Sequence, residues 1–459
     1  MAQIVTIDPT STRELERFDY TTPQDAGRAL DRARAAFAQW RSAAFADRAT
    51  VLRGAAQRLR ARSGDLAEIA VREMGKPILQ ARAEVEKCAS GCEYFAENAE
   101  RFLSDETVAS NAALSYVAFR PLGAILAIMP WNFPYWQVFR AAAPALMAGN
   151  VMLLKHASNT TRCALEIERI FTEAGAPEGV FTTLLLTGAR ATELVSDERI
   201  AAVTLTGSEG AGISVAAAAG NVLKKCVLEL GGSDPFVVLA DADIDRAVEV
   251  AVTARFQNNG QSCIAAKRFI VEDRIYDRFV TQFGDASAKQ VVGNPLDEST
   301  QLGPCARDDL RASLREQIAE SVAGGARIVT GGHPIDREGF FFEPTVVADV
   351  VPGMPMFDRE TFGPAAAVVR ARDERHAIEL ANQSSFGLGS NLWTSDLDRA
   401  RRLAAEIESG ACFINGMVAS DPRLPFGGVK RSGYGRELSA FGIREFVNVQ
   451  TVWIGPAKN

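Results

Sequence analysis

From about residue 114 onward the chain alternates short apolar runs with helical patterns, and this alternation restricts the fold more than any other feature. Runs at 114–120 and 124–129 read as β-strands separated by Pro121-Leu122-Gly123. Further strands are expected at 151–154, 180–186, 202–205, 226–230, 236–239, 268–271, 366–369, 389–393 and 411–414. Helical patterns lie between most of them, for instance 161–174, 244–256, 275–291 and 397–409. Parallel neighbours need a long crossover, usually a helix, so the pattern implies an α/β chain with largely parallel sheets. The first hundred residues read instead as helices. Thr22-Pro23 is a cap followed by proline at the first helical position, and Ala26, Leu30, Ala33, Phe37 and Trp40 then share a face. A second helix is expected to start near Asp47, and a long one follows Pro77, with Ala81, Val85, Cys88, Cys92 and Phe95 on one buried stripe.

With 459 residues the chain is long enough for two to four domains, and 47% hydrophobic with 23% charged residues is a globular balance. The charge sum, 50 − 57 = −7, lacks the basic footprint of a nucleic-acid binder. Three histidines, His156, His333 and His376, lie too far apart in sequence to suggest a metal site. The seven cysteines (Cys88, Cys92, Cys163, Cys226, Cys263, Cys305 and Cys412) are odd in number and include no C-x-x-C pair, which fits a reducing compartment rather than a disulfide framework. No apolar run approaches the ~20 residues of a membrane span, and Met1–Pro9 has no secretory pattern. The expectation is a soluble cytoplasmic protein.

Four segments carry residues that could do chemistry. Gly207-Ser208-Glu209-Gly210-Ala211-Gly212 follows an expected strand and opens a helix, where free N–H groups can meet an anion; a plain strand–helix turn reads as well. Cys263 sits in Asn258-Asn259-Gly260-Gln261-Ser262-Cys263, a polar setting unlike the apolar runs around Cys226 and Cys412. It is a candidate nucleophile that would need an activating partner. Glu229 is a carboxylate inside the apolar run Val227-Leu228-Glu229-Leu230, either a general base raised by burial or a strand-end group facing water. Met129-Pro130-Trp131-Asn132-Phe133-Pro134 is a turn that could aim the Asn132 amide inward as an oxyanion donor, worth about 2.7–4 kcal/mol in a transition state.

Together, Pro130-Trp131-Asn132-Phe133-Pro134, Leu228-Glu229-Leu230-Gly231-Gly232, Gly260-Gln261-Ser262-Cys263, Glu360-Thr361-Phe362-Gly363-Pro364 and Pro425-Phe426-Gly427-Gly428-Val429-Lys430-Arg431-Ser432-Gly433 occur in the order and rough spacing of the aldehyde dehydrogenase superfamily. The resemblance runs from about residue 19 to the C-terminus. It implies a modified Rossmann NAD(P)-binding domain (1–226, with an oligomerisation hairpin about 104–120) and a catalytic domain (227–420). A segment 421–459 would supply the active-site loop and a C-terminal oligomerisation strand. It further implies Cys263 as nucleophile, Asn132 with the Cys263 N–H as oxyanion donors, and Glu229 as general base. The cofactor would be held by Met129, Pro130, Trp131, Lys155, His156, Ser158, Gly188, Gly207, Ser208, Leu230, Glu360 and Phe362, with no metal.

Within the family the chain looks like the succinate-semialdehyde dehydrogenase group. Arg140 lies eight positions after Asn132 (140 − 132), where these enzymes place a carboxylate-reading arginine, and Arg423 is a second candidate. Trp136 and Gln257 complete the expected substrate contacts, Gln257 standing where other semialdehyde dehydrogenases carry arginine. Ala265 replaces the second cysteine through which some relatives form a regulatory disulfide. Ser158, where NAD-preferring relatives often have glutamate, implies that NADP is accepted in preference to NAD. The implied partners are an aldehyde with a distal carboxylate and a second copy of the chain, as a dimer or dimer of dimers. Other readings are a broader ω-carboxy aldehyde dehydrogenase and a coenzyme A-acylating one, which typically lacks the Glu229 carboxylate. A cysteine hydrolase and a retired enzyme serving as a binding protein are more distant.

Overall fold

The computed structural model describes residues 3–455. Two mostly parallel sheets organise the chain. The first has six strands in the order Gly433–Tyr434, Lys225–Glu229, Ile200–Thr206, Ala124–Met129, Val151–His156 and Phe181–Thr183. Its strands after Ala124–Met129 build outward first on one side and then on the other, so strand order reverses between Ala124–Met129 and Ile200–Thr206. In an open parallel sheet that reversal leaves a crevice beyond the carboxyl ends of the strands. Met129 pairs with His156 and Thr206 with Glu229, so those carboxyl ends lie side by side.

The second sheet has seven strands, in the order Arg327–Thr330, Thr345–Ala348, Ala365–Ala371, Ala266–Glu272, Asp234–Val238, Gly389–Trp393 and Ala411–Ile414. Only Arg327–Thr330 runs antiparallel to its neighbour. These strands are buried on both faces, as parallel strands covered by helices should be. A third, three-stranded sheet pairs Val447–Ile454 with Leu114–Pro121 through eight residues and adds Glu106–Thr107 at the edge.

The expected elements are present with shifted ends. The expected strand 180–186 shrinks to Phe181–Thr183, and the helix expected over 397–409 stops at Ala404. The all-helical reading of the first hundred residues is corrected by a hairpin of Gln3–Ile7 and Glu14–Asp19, whose mostly polar, exposed second strand has little apolar alternation to announce it. The helix Asp308–Ala323 and the strands Arg327–Thr330 and Thr345–Ala348 were also unanticipated. Cys88 and Cys92 are fully buried on the helix Ile78–Phe102. Among the described residues no helix is long and apolar enough to cross a membrane, and no cluster of His, Cys, Asp or Glu could hold a metal ion.

Candidate active site

Cys263 follows a turn whose shape explains its polar sequence. The helix Ile244–Phe256 ends in Gln257–Gly260, where Asn258, Asn259 and Gly260 have φ of 54°, 59° and 69°. Asparagine and glycine enter this left-handed region at the least expense. The Asn259 amide donates to the carbonyls of Gly75 (2.8 Å) and Pro304 (2.9 Å). Asn258 donates to the carbonyls of Asn132 (2.8 Å) and Gln261 (3.0 Å). A Cβ on Gly260 would stand 2.3 Å from the Gly363 carbonyl oxygen, so no other residue fits there. Beyond the turn, the Lys267 ammonium donates to the carbonyls of Ser262 (3.0 Å), Cys263 (2.7 Å) and Ala265 (3.2 Å). The cysteine is therefore held from both sides, and its own N–H has no acceptor among the described residues. Burial pushes its thiol up to about 12, with the Arg140 and Lys267 cations acting in the opposite direction.

Asn132 approaches this loop from the first sheet. It is buried, and one amide hydrogen goes to the Gln261 carbonyl at 3.1 Å, leaving the second uncommitted. The turn that carries it leads into the helix Trp136–Met147, every residue of which is buried. Its first N–H groups are satisfied from a distance: Glu84 accepts from the N–H of Tyr135 (2.8 Å) and Trp136 (2.9 Å). The same carboxylate ion-pairs with the buried Lys76, whose ammonium lies 4.3 Å from the Phe133 ring centre.

Glu229 ends its strand 2% exposed, and neither carboxyl oxygen has a hydrogen-bond partner. Burial and the neighbouring Glu437 hold its carboxyl well above the usual carboxylate range, against the pull of Arg140 and Arg436. The glycines that follow bring the two sheets together: a Cβ on Gly232 would stand 2.7 Å from the Cys263 carbonyl oxygen, and one on Gly231 would stand 2.6 Å from Glu360. Glu360 accepts from the Gly232 N–H at 3.1 Å and faces Lys267 at 3.6 Å.

Cys263 opens into a cavity of about 350 Å³ walled largely by Phe133, Trp136, Ile264, Met417 and Phe426, with Arg140 and Gln257 also on the wall. Glu229 does not line it, facing the cluster of Glu437, Arg140 and Arg436 instead. The Arg140 guanidinium ion-pairs with the buried Glu437 and lies 4.4 Å from the Phe426 ring centre. Arg423 is a correction to the expected substrate contacts: it pairs with its near neighbour Asp421 (2.8 and 2.5 Å), is 75% exposed, and is absent from the cavity wall. Three residues on or beside this cavity escaped the sequence reading, Lys87, Ser420 and Glu437. Lys87 flanks the apolar stripe of its helix beside Cys88, a weak signal; Glu437 and Ser420 sit in irregular chain with none.

Toward the crevice of the first sheet, the residues fit a nucleotide. Gly207 and the N-cap Ser208 link the strand Ile200–Thr206 to the helix Glu209–Gly220. That helix lies close on the strand end because a Cβ on Gly212 would meet Leu230 at 2.5 Å. Lys155 is half-buried and makes no ion pair among the described residues, and Ser158 beside it is exposed. An ammonium without a carboxylate partner, next to a bare hydroxyl, suits a ribose or phosphate oxygen. Trp131 packs edge-on against Phe362, their ring centres 5.7 Å apart. Gly188 opens a short helix capped by Thr187, and Pro130 is half-buried behind Met129. His156 corrects the expectation: it is turned inward. Its Nε2 lies 2.8 Å from the Pro134 carbonyl oxygen, and its Nδ1 accepts from the Ala157 N–H at 2.8 Å. Burial lowers its pKa to about 4, so it is neutral and has no ring nitrogen left for a cofactor.

A switch-point crevice on one sheet meets a second sheet that carries a cavity-facing cysteine, an arrangement that suits a nucleotide-dependent dehydrogenase. The aldehyde dehydrogenase family model matches residues 2–452, and the chain belongs to that family. It is 51% identical over 451 residues to a probable NADP(+) succinate-semialdehyde dehydrogenase of Synechocystis, covering 98% of this chain and 99% of the relative. It is 50% identical over 454 residues to succinate-semialdehyde dehydrogenase [NADP(+)] 1 of Mycobacterium tuberculosis, covering 98% and 99%. Among solved structures, succinic semialdehyde dehydrogenase from Streptococcus pyogenes in complex with NADP+ superimposes with a TM-score of 0.97 at 39% identity, covering 99% of this chain and 100% of that one.

Proposed function

We propose that this enzyme oxidises an aldehyde bearing a distal carboxylate, succinate semialdehyde in the first place, to the acid, and that it takes NADP in preference to NAD. The observation that carries the reading is the cavity: the Cys263 thiol opens into a largely apolar chamber with cationic side chains on its wall. The names of the relatives above support the substrate, and the Lys155–Ser158 pair supports the nucleotide, because a hydroxyl accommodates a 2′-phosphate that a carboxylate would repel. The closed inward bonding of His156 takes it out of this account, and the exposed Asp421 pairing takes out Arg423.

In this reading Cys263 loses its proton to a base and its sulfur adds to the aldehyde carbon. The free hydrogen of the Asn132 amide and the Cys263 N–H hold the oxyanion that forms. A bound nicotinamide nucleotide supplies the hydride acceptor, which no side chain can be. It would be held by Lys155, Ser158, Gly188, Gly207, Ser208, Leu230, Glu360, Phe362 and the Met129-Pro130-Trp131 turn. Glu229 then takes a proton from the water that releases the acid from the cysteine thioester. That step requires its side chain to swing from the Glu437–Arg140 cluster, where burial and Glu437 raise its pKa, toward the cavity, where it would act as a carboxylate.

The cofactor-binding domain would be built on the first sheet and runs past the expected boundary at 226 to the end of the strand Lys225–Glu229; the catalytic domain would be built on the second sheet, and the chain beyond 420 returns to the first sheet through Gly433–Tyr434. The exposed Leu114, Val449, Trp453 and Ile454 on the three-stranded sheet support a homo-oligomer built through that element, and seven unpaired cysteines suit the cytoplasm. Steady-state rates on succinate semialdehyde, glutarate semialdehyde and butanal, each with both nucleotides, test the proposal. Succinate semialdehyde with NADP is expected to give the highest kcat/KM, with acid formed in the absence of coenzyme A and activity abolished by Cys263→Ala. Equal kcat/KM for butanal, or no acid without coenzyme A, would refute it.

A further inference from the structure

We propose that Lys267 is a positioning residue for the reaction: its ammonium, set behind Cys263, aims and polarises the Cys263 N–H toward the cavity and lends its charge to the thiolate. The inference rests on Cys263 as nucleophile, as read above, and goes further by naming the group that turns its peptide into a directed donor. Lys267 is the second residue of the strand Ala266–Glu272. Successive strand side chains face opposite ways. Arg268 accordingly donates to the carbonyls of Ser233, Leu380 and Ala381, while Lys267 turns back under the cysteine loop. It is fully buried. An ammonium has three hydrogens and no lone pair. Three carbonyls take them: Ser262 at 3.0 Å, Cys263 at 2.7 Å and Ala265 at 3.2 Å. Glu360 faces the same ammonium at 3.6 Å, a longer approach than any of the three. The buried charge is spent mainly on the backbone beside the thiol.

The carbonyl of Ser262 and the N–H of Cys263 belong to one peptide, and a trans peptide holds those two groups on opposite sides. The Ser262 carbonyl is pinned by Lys267 and also accepts from the Ala265 N–H at 3.2 Å. The Cys263 N–H therefore points away from the ammonium, and it meets no acceptor among the described residues. Ser262, Cys263 and Ile264 line the cavity and Lys267 does not, so the loop lies between the ammonium and the chamber. A cation on a carbonyl draws electrons through the peptide, and the N–H at its other end donates more strongly. The preceding carbonyls are held by other side chains, Gly260 by Arg255 and Gln261 by Asn132 and Asn258. Among the described residues, Lys267 alone grips the peptides on both sides of Cys263. Burial lowers the Lys267 pKa, with Glu360 and Asp234 opposing the fall. Its charge, like that of Arg140, works against the burial that keeps Cys263 a thiol.

Two reactions of the same sulfur separate these effects. Iodoacetamide consumes the thiolate, forming an S–C bond as the C–I bond breaks and iodide leaves, and no oxyanion arises. Aldehyde oxidation needs both the thiolate and the oxyanion donor. The test compares the alkylation rate of Cys263 at pH 8, followed by peptide mass spectrometry before nucleotide is added, with kcat/KM for succinate semialdehyde at saturating NADP. Lys267→Gln should slow alkylation roughly tenfold, the equivalent of about one pKa unit. It should lower kcat/KM roughly 100-fold, the excess reporting the misdirected N–H. Lys267→Arg, which keeps the charge and its donors, should recover most of both. A lysine that only held the loop closed would expose the thiol on removal and speed alkylation, the opposite sign. Should Lys267→Gln not fold, Lys267→Ser, which leaves room for water to meet the carbonyls, provides the second arm with the same expectations. Faster alkylation, equal falls in the two rates, or both rates within about threefold of wild type overturns the assignment. A wild type that keeps its activity once Cys263 is alkylated would refute the nucleophile itself, whereas one that loses activity in step with alkylation leaves that reading standing whatever Lys267 does.

Discussion

The carboxylate of Glu84 ties the active-site helix to its neighbour, and Glu84→Gln should expose how strongly. Both side chains of the Lys76–Glu84 pair are nearly sealed from water, at 1% and 2% exposure. One Glu84 oxygen accepts from the N–H of Tyr135 (2.8 Å) and Trp136 (2.9 Å), and the other faces Lys76. Glutamine can keep the first oxygen and both backbone bonds, but it turns an NH₂ group toward the ammonium and removes the charge that balances it. Leaving one partner of a buried pair uncompensated costs about 3–5 kcal/mol, a large part of the stability of an ordinary domain. For a domain of this size that corresponds to a fall of roughly 6–20 °C in Tm. The Phe133 ring, 4.3 Å from the ammonium, softens the loss without replacing a carboxylate. Lys76→Met combined with Glu84→Gln removes both charges and should recover most of the loss, since an apolar pair of similar volume often does as well as a buried ion pair. Thermal unfolding followed by tryptophan fluorescence on wild type, the two single variants and the double variant completes the cycle. A Glu84→Gln shift below about 2 °C, or a double variant no more stable than Glu84→Gln, would refute the reasoning.

Ser158→Glu should move nucleotide preference: losing a hydrogen bond to the 2′-phosphate and adding a like charge should lower kcat/KM with NADP roughly 10–150-fold relative to NAD, and an unaltered NADP/NAD ratio would count against the site. Glu73 is buried on the helix Ser63–Met74 and accepts from the N–H of Arg162 (2.9 Å) and Cys163 (3.0 Å), with burial raising its pKa to about 7. The folded protein keeps that proton up to about pH 7 while the unfolded chain releases it near 4.5, so this group stabilises below 4.5 and its contribution is lost as pH rises to 7. Glu73→Gln should flatten that part of the Tm–pH curve, gaining on wild type at pH 8 relative to pH 5; parallel curves would dismiss the assignment.

Much of the architecture was legible because each strand and helix of an α/β chain carries its own period. Gly389–Trp393, Ala411–Ile414 and Ile244–Phe256 fall where periodicity places them. The hairpin Gln3–Ile7 with Glu14–Asp19 did not announce itself, since a mostly exposed edge strand is free of the apolar alternation that burial imposes. At the site, Gln257–Cys263 stood out as polar, but its asparagines proved to be clamps on the Gly75, Asn132 and Pro304 carbonyls, partners more than forty residues distant in sequence.

By itself, then, the amino-acid order determined which segments would be strands and helices, where the glycine-rich turns fall, and which unusual side chains sit in them. Those are local matters, set by periodicity and by what a backbone conformation tolerates. Only the tertiary structure decided which charges remain uncompensated. It gave Arg140 to Glu437, Arg423 to Asp421 and both nitrogens of His156 to nearby backbone, and it left Lys87 facing the cavity with a serine whose acceptors are filled. Pairing depends on separations of a few ångströms between groups far apart in the chain, and no pattern along one dimension carries that information.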